Sequence, residues 1–172
     1  MDIIRKRKSI RSFEKGYIIE KKDYDDLLEA AICAPSAMNS KSWFFIVIDD
    51  ENVKTKLVSK VPSISRFDGA SGFIIVCAKK EMIKTPLYHQ DLAAATENIL
   101  LEATKKDLAS CWIGLKDTLG RIPMICEILG VPEDIELFSM IALGKPLDKK
   151  TFDEEKKPVV CENIINYNGW VK

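Results

Sequence analysis

The stretch Arg5-Lys6-Arg7-Lys8-Ser9-Ile10-Arg11-Ser12-Phe13 puts five cations and two hydroxyls into nine positions, just after a short apolar start at Ile3-Ile4. Such a segment admits two readings. It can be a solvated basic tail. It can also grip a phosphate through charge-assisted and bidentate hydrogen bonds, with Ser9 adding a neutral hydroxyl contact. Two features favour the second. Arg7, Ser9 and Arg11 alternate, so in extended chain all three point to one side. Ile10 and Phe13 interrupt the polar run with apolar anchors that a free tail does not need. The segment therefore predicts a buried phosphate site.

Outward from it, Asp2 can cap a short helix through Ile3 and Ile4, and Gly16 breaks the chain. Tyr24, Leu27, Leu28, Ala31 and Ile32 recur at helical spacing and predict an amphipathic helix from Lys22 that ends before Pro35. Ala34-Pro35-Ser36-Ala37-Met38-Asn39-Ser40 reads as a polar loop. Trp43 to Ile48 is an almost continuous apolar run of strand length, which predicts a strand covered on both faces. A surface helix is expected from Glu51 to Lys60, then a loop without clear period from Val61 to Asp68, then a buried strand from Gly72 to Ala78. Asp91 to Lys106 should be the longest helix and a central one, since Ala93, Ala94, Ala95, Ile99, Leu100, Leu101 and Ala103 cover most of its circumference. Ala109 to Leu115 predicts a third strand. Ile122 to Leu129 predicts a short helix stopped by Gly130, and Glu136 to Leu143 a fourth strand. Asp148 to Lys157 reads as a solvated charged connection. The apolar residues of 158–172 should pack on this subunit or its neighbour.

Composition narrows the function. A chain of 172 residues is most simply one domain, and 47% apolar with 30% charged residues is ordinary for a globular protein. Lys plus Arg total 26 and Asp plus Glu total 26, so the basic excess expected of a nucleic-acid binder is absent. No apolar run approaches membrane-spanning length, and the N-terminus lacks the apolar stretch of a signal peptide. Cys33, Cys77, Cys111, Cys126 and Cys161 are scattered, none in a C-x-x-C pair, and His89 is the one histidine; neither zinc nor another metal is expected. The cysteines read as small buried hydrophobes in a reducing cytoplasm. Strands interleaved with helices, without strict alternation, predict an α+β sandwich around one sheet. The two commonest phosphate cradles, G-x-G-x-x-G and G-x-x-x-x-G-K-[ST], are missing.

Arg7-Lys8-Ser9-Ile10-Arg11-Ser12-Phe13 resembles the N-terminal R-R-S-x-R-x-F signature of the nitroreductase family of flavin mononucleotide (FMN) enzymes. The loop Ala34 to Ser40 followed by Trp43 resembles its A-P-S-A-x-N-x-Q-P-W segment, and Asp91 to Leu101 its central helix. Leu108 to Gly114 and Ala142-Leu143-Gly144-Lys145-Pro146 resemble its G-L-x-x-x-W-I-G and L-G-x-P strands. The likeness covers nearly the whole chain, with the motifs in order.

What the resemblance implies is a single domain over 1–172 with a nitroreductase-like three-layer fold, a central mostly antiparallel sheet flanked by helices. It further implies an intertwined homodimer with FMN at the interface and 158–172 as a C-terminal extension on the partner. Arg7, Lys8 and Ser9 would hold the phosphate and ribityl chain, and Arg11 the N1/O2 edge of the ring. Pro35, Ser36, Ala37 and Asn39 would come from the other subunit. Ile113 and Gly114 would face the ring, and Lys156, with Lys157 next, would complete the phosphate site. Ser63 and Arg66 match flavin-edge positions more loosely. No residue need be catalytic, because the flavin N5 carries the hydride; NAD(P)H would be the reductant and a quinone or nitroaromatic the oxidant, in a ping-pong cycle. His89 is then expected to be structural or at the surface. Rival readings are a non-catalytic flavin protein, a dehalogenase or dehydrogenase on the same fold, and a cofactor-free interaction module. Lys41-Ser42 in place of Q-P, Lys106-Asp107 in place of glycine, and lysine rather than arginine at 156–157 depart from the pattern. The short chain predicts an open site.

Overall fold

The computed structural model describes residues 2–116, 120–157 and 164–170. Its helices are α1 (Ile3–Lys6), α2 (Lys21–Ile32), α3 (Glu51–Lys60), α4 (Tyr88–Lys105), α5 (Arg121–Leu129) and α6 (Lys149–Asp153). Its strands are β1 (Trp43–Ile48), β2 (Gly72–Lys79), β3 (Ala109–Gly114) and β4 (Ile135–Gly144), in one antiparallel sheet of order β1-β2-β4-β3.

Alternation along the central strands clads both faces of that sheet. Phe73, Ile75 and Cys77 of β2 point to a layer with Leu57 of α3 and Ile125 of α5. Ile74, Val76 and Ala78 point to the opposite layer with Leu27 and Ala31 of α2 and Leu92, Ala95 and Ile99 of α4. This is the three-layer α+β sandwich that the sequence predicts. Between Val76 and Cys77 the register of β2 against β4 shifts, leaving Phe138 as an extra, unpaired residue of β4. The helix α4 buries Leu92, Ala95, Thr96, Ile99, Leu100 and Ala103 at helical spacing, while its outer residues 93, 94, 97, 98 and 101 are half-buried. It begins at Tyr88, three residues before the expected Asp91, because Thr85 Oγ1 accepts from Leu87 N at 2.9 Å and sets up the first turn.

Several expectations need correction. The strand β1 is an edge strand, not one covered on both faces: Phe44 is 41% exposed, while Trp43 and Ile48 are buried. An apolar run states that a strand wants cover; it does not state where the sheet ends. Residues 61–70 are regular after all, since Val61, Ile64, Phe67 and Ala70 are joined by three successive i→i+3 hydrogen bonds and all are buried. A period of three belongs to 3₁₀ turns, which a search for 3.6 or 2 passes over. The charged stretch at 148–157 is not a bare connection. Asp148 caps α6 by accepting from Thr151 N, and Phe152 is buried beneath it. Ile32, placed on the apolar face of α2, is exposed. Of the cysteines, Cys77 and Cys111 are buried as expected, but Cys33 is exposed and Cys126 only half-buried; all four are free thiols, and Cys161 lies outside the described residues. In the C-terminal segment Ile164, Ile165, Tyr167 and Trp170 are exposed in the single chain; the expectations on 158–163 and 171–172 lie outside the described residues. Among the described residues, no helix is long and apolar enough to cross a membrane.

Candidate functional site

The basic segment is neither a tail nor uniformly a ligand site. Asp2 Oδ1 accepts from Ile4 N and caps α1 as expected, and Arg5 folds back on Asp2 at 3.3 Å. Lys6 turns inward. Its ammonium meets Asp107 at 2.8 Å and Asp153 at 3.2 Å and lies 4.7 Å above the Phe152 ring, so it joins the N-terminus to α6 and to the end of α4. The first two cations are thus structural. After them the chain is extended and fastened along its backbone. Ser9 bridges Ser110 of β3 in parallel, Ile10 N donates to Ser110 O, Glu14 N donates to Lys145 O, and Leu147 N to Ser12 O. Phe13 is the expected anchor. It fits because Gly69 and Gly144 lack side chains: a Cβ there would stand 2.8 Å from Phe13 O and 2.9 Å from its ring, respectively.

Arg7, Lys8, Ser9 and Arg11 remain. Arg7 Nε is 3.2 Å from Glu97 Oε1 of α4, Lys8 Nζ donates to Thr151 O, and an Arg11 Nη1 reaches back to Ser9 O at 3.2 Å. Lys156 enters the same place, its backbone N–H donating to Arg5 O at 3.0 Å. Its ammonium is held below the usual lysine pKa by partial desolvation, then by the charges of Arg7 and Lys8, with Glu97 opposing. The structure therefore brings positions 7, 8 and 156 into one electrostatic neighbourhood, in which Arg7 is paired with Glu97. Glu97 was visible in the sequence only as one of three acids, with Asp91 and Glu102, on an alanine-rich helix. Arg11, Arg66 and Arg7 act together on the buried Cys111 thiol, which burial raises and these three cations lower, so Arg66 belongs to the same neighbourhood. Ser63 is positioned by Arg121, whose guanidinium donates to Ser63 Oγ and to Lys116 O, both at 2.9 Å; this clamp was missed by sequence reasoning.

The strand β3 is the outer strand of the sheet beyond β4. Residues 9–10 cover its edge only at Ser110. Because Ser110 O faces that edge and strand polarity alternates, the backbone groups of Trp112 and Gly114 face it too. Leu115 N turns back to Phe138 O at 3.2 Å. An ideal Cβ on Gly114 would meet nothing within 4 Å, which leaves open space where the sequence places a flat ring.

The loop of Pro35, Ser36, Ala37 and Asn39 is held elsewhere. Asp91, 5% exposed at the start of α4, accepts from Ala37 N at 2.9 Å and Ser40 Oγ at 3.2 Å. Ser36 Oγ accepts from Lys41 N, and Met38, Asn39 and Lys41 all have positive φ. Asp91 and Glu97 are six residues apart on α4, about 9 Å of rise and on different faces. Within one chain no hydrogen bond or ion pair joins this loop to residues 7–11 among the described residues. Ser42, at the departure from the usual loop exit, is buried with its Oγ unpartnered. At the other departure, Asp107 takes φ 56°, the conformation a glycine would adopt freely, and Lys106 ties to Asp23 and Asp26 at 2.8 and 2.5 Å.

Comparison with known proteins agrees in scope. The profile described as "Nitroreductase family" matches residues 4–64 and 64–145. A protein of Archaeoglobus fulgidus with the provisional name NADH dehydrogenase/NAD(P)H nitroreductase is 38% identical over 156 residues, covering 90% of this chain and 89% of that one. A crystal structure from Clostridium acetobutylicum, provisionally called an NADH oxidase, superposes with a TM-score of 0.88 at 33% identity, covering 98% of this chain and 100% of the other. A protein of Desulfovibrio desulfuricans, provisionally called a nitroreductase and solved in complex with FMN, has a TM-score of 0.81 at 25% identity, covering 97% of this chain and 95% of the other.

Proposed function

Given that the chain belongs to the nitroreductase family, we propose that it is an FMN-dependent oxidoreductase that takes electrons from NAD(P)H and passes them to a small acceptor such as a quinone or nitroaromatic. The observation that carries this reading is the gathering of Arg7, Lys8 and Lys156 near Glu97, which pairs with Arg7, together with β3 as the outer strand of the sheet. Three cations against one acid leave room for an anion, and a phosphate monoester supplies nearly two negative charges. The donor set thus fits FMN. Arg7, Lys8, Ser9 and Lys156 would hold its phosphate and ribityl chain. Arg11 would stabilise negative charge developing at the N1/O2 edge. Ile113 and Gly114 would border the ring, with Gly114 offering backbone donors and acceptors.

When bound, the flavin would accept a hydride from NAD(P)H and deliver it to the acceptor in a ping-pong cycle. Since no hydrogen bond or ion pair ties the loop of Pro35, Ser36, Ala37 and Asn39 to residues 7–11 within one chain among the described residues, we assign the loop to the site of a second copy and take the active form to be a homodimer. The exposed Ile164, Ile165, Tyr167 and Trp170 are the surface we assign to contact with that copy. The free thiols fit a cytoplasmic home.

The test is a titration of apoprotein with FMN and, separately, riboflavin, followed by quenching of flavin fluorescence. FMN should bind at least about tenfold more tightly, the contribution of one charge-assisted phosphate contact. A protein that binds neither ends the proposal. Binding without NAD(P)H oxidation in the presence of menadione would leave a non-catalytic flavin protein instead.

A further inference from the structure

We propose that His89, oriented by Glu136, is the proton donor to a quinone-type acceptor seated in the cavity at the open end of β3 and β4. This rests on the flavin reading above. The cavity holds about 530 Å³ and is lined by Trp112, Gly114, Ile122, Leu137, Phe138 and His89, together with Leu115, Lys116 and Glu136. It shares Trp112 and Gly114 with the free edge of β3, so a molecule in it lies against the place assigned to the flavin ring. Its walls suit a flat apolar ring. The extra residue in β4 helps shape it. Phe138 lies 5.7 Å from the His89 ring, nearly parallel, and 6.1 Å from Trp112 edge-on. Bulges commonly re-aim a side chain beside a reacting centre.

The imidazole is held in a defined way. Glu136 Oε1 lies 3.0 Å from His89 Nε2, and the same carboxylate accepts from the Tyr88 hydroxyl at 2.9 and 3.0 Å. A carboxylate only accepts, so Nε2 carries a hydrogen in both protonation states. The titrating nitrogen is then Nδ1, which has no hydrogen-bond partner among the described residues. The charged or titratable groups around it are Glu136 from β4, Tyr88 from its own helix and Lys116 beyond the end of β3. Lys116 is the one Lys or Arg lining the cavity among the described residues.

Reducing a quinone to its quinol takes up a hydride and one proton. The hydride equivalent comes from NAD(P)H through the bound coenzyme. The proton leaves Nδ1 of the His89 imidazolium: that N–H bond breaks with its electron pair staying on nitrogen, and an O–H bond forms on the quinone oxygen. Neutral imidazole remains, still donating Nε2–H to Glu136, and solvent returns the proton to Nδ1. An acceptor that becomes anionic on hydride uptake would otherwise have to wait for water.

Because His89 is the one histidine of the chain, its Cε1–H NMR signal needs no assignment. Menadione added to apoprotein should shift that signal saturably. A pH titration of that signal reads its midpoint directly. In the FMN-loaded protein, menadione reduction should slow as pH rises through the midpoint read by NMR. His89→Gln should slow it by about tenfold or more and remove that break, with FMN affinity unchanged. A signal indifferent to menadione, or a His89→Gln protein with the parent rate and pH profile, overturns the proposal. Loss of FMN binding in the parent protein would instead overturn the flavin reading, a different result from either of these.

Discussion

At the scale of single residues, neighbours in one basic segment have opposite duties. Lys6 is buried and structural, whereas Arg7 and Lys8 lie near Lys156, where the proposed function puts the phosphate. Lys6→Met should cost about 1–3 kcal/mol in urea unfolding while leaving FMN affinity intact; Lys156→Met should do the reverse, weakening FMN about tenfold and riboflavin little. The Lys6–Asp107 pair also sets a pH window. Lys6 holds the Asp107 carboxyl below its usual range, so that contribution is present above the unfolded pKa of about 4 and is lost as pH falls through the lower folded value. Burial opposes the charge on Lys6, but hydrogen bonds to Asp107 and Asp153 prevail and raise its pKa. Its contribution is complete below the unfolded value of about 10.4 and is lost as pH rises through the higher folded one. The Tm gap between the parent and Lys6→Met should therefore be widest between those limits and narrow at both ends. Arg11→Ala should lower the potential of bound flavin by roughly 30 mV, about 1.4 kcal/mol for a two-electron couple; dye equilibration checks it. The residue types were legible in the sequence. The split between Lys6 and Arg7 was not, because it depends on Asp107 and Asp153, both more than a hundred positions away.

At the scale of elements, contact between α2 and β2 is tight enough to read in one glycine. A Cβ on Gly72 would lie 2.0 Å from Tyr24 Oη and 2.9 Å from Ile48 O. Gly72→Ala should cost about 1–3 kcal/mol by overpacking. Tyr24 Oη is buried without a partner, so Tyr24→Phe should be neutral or stabilising alone. In the Gly72→Ala background it should recover part of the loss, since the hydroxyl clash goes and the backbone one stays. Chemical denaturation of the four proteins closes the cycle. The bounds expected for α3 hold, and the structure supplies the reason for its start: Asp50 accepts from Asn52 N and Val53 N. The 3₁₀ turns of 61–70 and the helix α6 escaped, one for its period and the other because four charged residues around Phe152 concealed its one buried side chain.

At the scale of the whole molecule, the proposed site draws on residues 7–11 and on the loop at 35–39, between which no hydrogen bond or ion pair runs within one chain among the described residues. If the loop of Ser36 and Asn39 completes a partner's site, mixing two inactive proteins should restore activity. An Arg7→Ala/Arg11→Ala chain combined with an Asn39→Ala chain forms mixed dimers with one intact site, giving about a quarter of parental turnover per dimer population when chains exchange at random. No recovery after verified exchange would place the loop in its own chain's site. Size-exclusion chromatography should show the dimer directly.

The sequence alone settled five of the six helices in outline, the four strands, the α+β class and the cation-rich segment, because capping, apolar periodicity and charge are local properties of the chain. Strand order, the edge position of β1 and β3, the bulge at Phe138 and the meeting of Arg7, Lys8, Glu97 and Lys156 were decided only in the tertiary structure. These depend on pairings between residues far apart in the chain, and local patterning carries no record of which distant partner wins.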